Sequence, residues 1–226
     1  LGDATGSRLK WFALAVQAPF RAWREAPAEK IYVVEADCDR PGEGKFLSEL
    51  LKPEVVVWLN CARTHSAQFE RVVRNKTFAN VDDAIAHEYG FFLEHANRLC
   101  ILNSDDERIM HEMERSRAKA STITERDLQS YGVLIEGTEF ELYGVRYTLP
   151  YLLPKDAFRS IAASPAVAQN FGVQPTNDLS HFTQPPGRSS IFRGIKGTTI
   201  IDSSYNANTS SIDAILRLVK ELSGTK

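Results

Sequence analysis

Apolar residues along this chain fall into short unbroken runs, and the stretches between them carry helical spacing. KIYVVEAD (30–37), EVVVWLN (54–60) and RLCILNSDD (98–106) are rich in Val, Ile and Leu and predict strands. GKFLSELL (44–51), VDDAIAHEYGFFLEHA (81–96) and ERIMHEMERS (107–116) predict helices. Asp82 and Asp83 sit in the first turn of the second helix, where the helix dipole favours acids. The polar end of the third strand supplies caps for the helix that follows it. Strands that are apolar throughout and alternate with helices predict a parallel sheet covered on both faces. After about residue 118 the pattern changes to short alternating runs broken by Gly: ASTITE, GVLIEG, TEFELYG and VRYTLP. These predict antiparallel strands at the edge of that sheet. A helix is predicted at 155–170 and a shorter one near 176–183. TQPPGRSS is a loop, SIFRGIKGTTIID a hairpin, and a last helix starts near Asn208. The fold class is therefore α/β: a mostly parallel sheet flanked by helices, with a small antiparallel edge region.

Composition narrows the function classes. The 226 residues are 43% hydrophobic and 25% charged, with a formal net charge of -2. That balance gives no general affinity for nucleic acid or an anionic membrane. No apolar run approaches the ~20 residues of a membrane helix. The opening LGDATGSRLKWF lacks the basic, apolar and small-residue succession of a signal peptide. Cys38, Cys61 and Cys100 are too widely spaced for a CxxC metal site. They read as buried free thiols in a reducing, cytoplasmic setting.

In a parallel α/β sheet, ligands bind beyond the carboxyl ends of the strands. Glu35, His65 and Asp105 or Asp106 fall there. Each alone is equally a cap or a solvated loop residue, whereas Glu35 and His65 together can share a divalent metal. A phosphate cradle of the form G-x-x-x-x-G-K-[ST] is not found in DRPGEGKF (39–46), which has Asp39 for the first glycine and Phe46 for the hydroxyl. PPGR (185–188) is a stiff turn carrying Arg188, whose planar fork suits phosphate, though a surface arginine reads the same way. In DSSYNAN (202–208), Asp and Asn are also ordinary turn residues, and Asn208 or Thr209 can cap the last helix.

Taken together, PPGR followed at a short distance by IIDSSYNANTSSIDAIL resembles the junction between the central and C-terminal domains of Mur ligases. Within that family the likeness is greatest to members that add D-alanyl-D-alanine to a UDP-muramoyl tripeptide, whose signature DDSYNANP follows a GR turn. YVVEAD resembles the family's VLEMG strand, and LKPEVVVWLNCARTHSAQFE its strand and histidine loop. LCILNSDDERI and GTEFELYGVRYTLPYLLPKDAFRSIAAS agree in order and spacing with later segments. The resemblance spans residues 30 to 222 and implies a P-loop NTPase-like central domain of a three-domain enzyme. In such an enzyme ATP and Mg2+ phosphorylate a carboxylate, and an amine then attacks the acyl phosphate.

Carried over residue by residue, Glu35 and His65 resemble magnesium ligands near the γ-phosphate. Arg188 resembles a phosphate contact, and Asp202 the residue that engages the ribose. Tyr205, Asn206 and Asn208 would line the nucleotide pocket at the hinge, and Ser160 stands where the family has an asparagine near the adenine. The family's carbamylated lysine, which holds a second magnesium, has no counterpart in AIAHEYGFF; Glu88 or Tyr89 takes its place, and Glu88 offers a carboxylate directly. The implied partners are a UDP-muramoyl-peptide-like acceptor and an amino acid or dipeptide, in peptidoglycan precursor synthesis by a cytoplasmic monomer. The expected domains are 1–188, a central domain whose phosphate loop lies upstream of residue 1, and 189–226, the start of a C-terminal domain. On that basis this chain alone is inactive. Two other readings are a ligase of the folylpolyglutamate type and a Mur-like nucleotide-binding module that has lost catalysis.

Overall fold

The structure, a computed structural model, describes residues 7–23, 31–63, 66–205 and 207–224. It divides into two compact units, Leu1–Ala36 and Asp37–Lys226.

In the first unit, helix α1 (Arg8–Ala22) starts at Ser7, whose hydroxyl accepts the Lys10 N–H at 3.4 Å. The strand predicted at 30–37 does not form: residues 31–37 belong to no strand of the described residues. A β-strand is held by its ladder to a neighbour, and none of the described strands pairs with this segment. Tyr32 and Val33 accordingly stay 85% and 86% exposed despite their strand-like composition.

The second unit opens with α2 (Glu43–Leu51), entered through Gly42 at φ 91, a left-handed conformation suited to glycine. Three parallel strands follow, β1 (Val55–Trp58), β2 (Leu99–Asn103) and β3 (Lys119–Ile123), paired in the order β1-β2-β3. Between β1 and β2 lie α3 (Glu70–Arg74) and α4 (Val81–His95). The α4 helix is capped by Asn80, whose Oδ1 accepts the Asp83 N–H at 2.9 Å. Between β2 and β3, α5 (Glu107–Glu112) starts at Asp106, whose carboxylate accepts the Arg108 N–H at 3.0 Å.

The central strand β2 is buried along its whole length. Its side chains alternate between two faces, as the period of a strand requires. Cys100 and Leu102 pack with Leu93, Trp58 and Ile109. Leu99 and Ile101 pack with Phe140, Leu142, Leu149 and Phe158. Each such large apolar side chain contributes about 1.5–3 kcal/mol on full burial.

ASTITE was expected among the antiparallel strands, yet β3 runs parallel to β2. The α5 crossover returns the chain to the same edge in the same direction, which leads to a parallel neighbour. The antiparallel strands β4 (Leu128–Leu134), β5 (Gly137–Leu142) and β6 (Val145–Leu149) form a sheet of their own rather than an edge of the first. Their alternation buries Phe140, Leu142, Tyr147 and Leu149 in the cluster that receives Leu99 and Ile101.

Helix α6 (Phe158–Asn170) follows. The helix expected near 176–183 is replaced by turns. Asp178 accepts from the Ser180 N–H at 3.0 Å and O–H at 2.6 Å, and its own N–H donates to Thr176 Oγ1 at 3.1 Å. Such local side-chain bonds compete with a helix, and Asp178 also bridges to Thr148 of β6. The hairpin β7 (Ser190–Arg193) and β8 (Thr199–Asp202) and helix α7 (Thr209–Gly224) complete the unit. Leu218 of α7 is buried against Val133 and Leu152, so the chain beyond residue 188 packs within the same compact unit.

Cys38, Cys61 and Cys100 are free thiols, and burial pushes those of Cys38 and Cys61 up to about 12. No helix of the described residues is long and apolar enough to cross a membrane.

Candidate functional site

The carboxyl ends of β1, β2 and β3 carry an ordered polar network. Asn103, 7% exposed at the end of β2, donates to the Leu59 carbonyl at 3.0 Å and accepts the Asp105 N–H at 3.0 Å. Asp105 then gathers three donors: the Thr124 hydroxyl at 2.7 Å, the Glu125 N–H at 2.7 Å and Arg159 Nη2 at 3.0 Å. Burial pushes its carboxyl up, but these bonds and the guanidinium charge prevail and hold it below the usual range. Asp105 therefore joins the ends of β2 and β3 to the first turn of α6, a role its sequence position did not reveal. Asp106 is the α5 cap already described, as its neighbours in the chain predicted.

The second cluster brings together two motifs that are distant in sequence. The PPGR turn places Gly187 at φ 77, and the Gly187 carbonyl accepts the Tyr205 N–H at 3.1 Å. A Cβ on Gly187 would lie 3.2 Å from the Tyr205 Cβ, so the two backbones pass at contact distance. The exposed Arg188 guanidinium lies 5.0 Å from the centre of the Tyr205 ring. Asp202 ends β8, opposite Ser190 of β7. Hydrogen bonds from the Ser204 hydroxyl and N–H hold its carboxyl below the usual range.

Asn208 is the N-cap of α7. Its Oδ1 accepts the Ser211 N–H at 2.8 Å, while Ser211 Oγ accepts the Asn208 N–H at 2.9 Å. The capping reading of this residue thus has direct geometry. Asn206 lies outside the described residues. Ser160 is exposed on the first turn of α6, where its carbonyl accepts the Ser164 hydroxyl at 2.8 Å.

Glu88, expected to hold a metal, makes backbone contacts in this structure. Glu88 is 7% exposed, and its Oε1 and Oε2 accept the Gly42 and Gly44 N–H groups at 2.8 and 2.9 Å. The carboxylate caps the start of α2, where backbone donors and the helix dipole favour an anion. Its neighbour Tyr89 donates to Asp37. Among the described residues no group of three or more His, Cys, Asp or Glu is placed to hold a metal ion. Glu35 is exposed in the first unit, and His65 lies outside the described residues. A carboxylate such as Glu35 suits magnesium, a hard cation, better than an imidazole does.

The start of the chain carries part of a shorter phosphate-loop frame. Gly6 to Trp11, GSRLKW, has the glycine and lysine of a shorter G-x-x-G-K-[ST] frame, and α1 begins inside it at Arg8. Leu9 stands at its second glycine and Trp11 at its hydroxyl, so the frame is incomplete. Leu9 and Trp11 are 82% and 60% exposed.

A helix-flanked parallel layer and a separate antiparallel sheet give this chain a fold like that of a solved Mur ligase. The chain superposes on the MurF ligase from Thermotoga maritima in complex with ADP with a TM-score of 0.73 and 23% identity, over 90% of this chain and 48% of that one. In sequence it is similar to the UDP-N-acetylmuramoyl-tripeptide--D-alanyl-D-alanine ligase of Escherichia coli (strain K12), at 25% identity over 225 residues, 92% of this chain and 47% of that protein. The chain thus spans about half the length of the curated relative it matches. No family model matches it.

Proposed function

We propose that this chain supplies the nucleotide-binding part of an ATP-dependent ligase of the Mur type, acting in cytoplasmic peptidoglycan precursor synthesis. In the whole protein a carboxylate of a UDP-muramoyl-peptide-like acceptor would take the γ-phosphoryl group of ATP. The amine of an amino acid or dipeptide would then attack the acyl phosphate, forming the amide and releasing phosphate. ATP would supply the phosphoryl group and leave as ADP, and magnesium would neutralise the phosphate charge. Glu35 and His65 are the proposed metal ligands.

The observation that carries this reading is the docking of Gly187–Arg188 on Tyr205. It sets a guanidinium, a tyrosine ring and the Asp202 carboxylate within the segment 187–205. Arg188 offers a bidentate donor to phosphate, and the anionic Asp202 offers an acceptor to ribose hydroxyls. The test is ADP binding to the full-length protein, read by displacement of a fluorescent nucleotide. Arg188→Ala should raise Kd about tenfold, the worth of one charge-assisted bond. It should leave the fold intact, because Arg188 is exposed. An unchanged Kd would refute the assignment.

A second reading, a Mur-like module that binds nucleotide without turning it over, is favoured by two particulars. The Glu88 carboxylate caps α2, and GSRLKW, if it is the phosphate loop, has Leu9 and Trp11 at the glycine and hydroxyl positions. Intact ADP binding with no magnesium-dependent phosphate release by the full-length protein would select it.

A further inference from the structure

We infer that Asp105 and Arg159 are a positioning pair that sets α6 against the carboxyl ends of β2 and β3, and so shapes the nucleotide site without touching nucleotide. The inference rests on the reading that this edge and the Ser160 turn of α6 face the nucleotide.

Two straps join the same segments. Arg159 Nη2 bonds Asp105 at 3.0 Å, and Lys155 Nζ bonds Glu125 at 2.5 Å. Asp105 and Glu125 follow β2 and β3, while Lys155 and Arg159 flank the start of α6. The arginine is held in one orientation: Nη1 bonds Asp156 at 2.8 Å, and the guanidinium stands 4.7 Å from the Phe158 ring centre. Phe158 itself is 1% exposed in the core, so the arm starts from a rigid base. Asp105 is equally fixed, by the Thr124 hydroxyl and the Glu125 N–H.

Stability alone is a poor account of this pair. The Arg159 side chain is only 14% exposed, and its Nε is buried without a partner. A buried unpaired donor destabilises the fold, and with Asp105 itself 33% exposed the ion pair contributes only about 0–1 kcal/mol. What the pair provides is register: three segments far apart in sequence meet at one carboxylate. Ser160, next to Arg159, takes its place from that register.

The experiment measures ADP affinity of the full-length protein, with thermal unfolding and amide hydrogen exchange recorded in parallel. Asp105→Asn and Arg159→Met should each raise Kd about tenfold in protein that remains folded. Both should speed exchange at the amides of 124–126 and 158–162. Arg159→Lys, which keeps the charge, should recover most of the affinity. If wild type binds ADP and both variants bind it equally well, the pair is merely structural and the inference is overturned, with the nucleotide-site reading left standing. If wild type binds no ADP while exchange still responds to the variants, the nucleotide-site reading fails and the functional part of this inference fails with it.

Discussion

Glu88 separates a capping role from a metal role most sharply. In Glu88→Ala both acceptors of the 42–44 turn disappear. The Gly44 N–H is left buried, and an unsatisfied buried donor costs about 1–3 kcal/mol. Gly42 is an exposed residue whose freed N–H can turn to water, so its loss resembles that of an ordinary N-cap, about 0.5–2 kcal/mol. Together these give roughly 2–4 kcal/mol of destabilisation. For a chain of this size each kcal/mol moves Tm by roughly 2–4 °C, so Tm should fall by about 5–15 °C. Glu88→Gln keeps one acceptor but turns an NH2 group toward the other backbone donor, and should lie between the two. Thermal unfolding followed by circular dichroism, with and without magnesium, is the assay. A cap leaves the magnesium dependence of all three proteins alike. If Glu88→Ala unfolds within about 0.5 kcal/mol of wild type, below the loss of even one cap, and abolishes a magnesium-induced rise in Tm, the capping argument is wrong.

Asn208→Ala should cost about 1 kcal/mol through loss of the α7 cap, measured by urea unfolding, whereas Asn208→Asp or Asn208→Ser should retain most of the stability. The Asp202 carboxyl should titrate below the ordinary carboxylate range when followed by NMR, and Ser204→Ala should move it back up, since the Ser204 hydroxyl is the first cause of the shift. Because the folded value is depressed, the associated stability is present above the unfolded carboxylate range and fades as pH falls through the folded one.

Much of the layer structure was legible in the residue pattern. The apolar runs at 54–60 and 98–106 became β1 and β2, and the helical spacings at 81–96 and 155–170 became α4 and α6. Caps such as Asp106 and Asn208 were legible too, because a cap is a contact over two or three residues. The run at 30–37 failed because strand propensity describes a side-chain surface, whereas a strand exists only with a hydrogen-bonded neighbour. The run at 120–125 was assigned the wrong partner for a related reason: alternation records which faces are buried and is silent on direction.

Candidate chemistry divides along the same line. Arg188 and Asp202 could be named from motifs, but that Gly187 and Arg188 dock on Tyr205 is a fact of tertiary structure. Glu88 shows the reverse outcome. By type and position the sequence offered it as a metal ligand, and packing turned it toward two backbone amides instead. Asp105 and Arg159 lie 54 positions apart and meet only because α6 folds back onto the sheet. The sequence by itself determined which segments could be buried and which residue types stood at the strand ends. Only the tertiary structure decided which of those polar groups were consumed by the backbone and which remained exposed, because a carboxylate's role is set by the donors that reach it first.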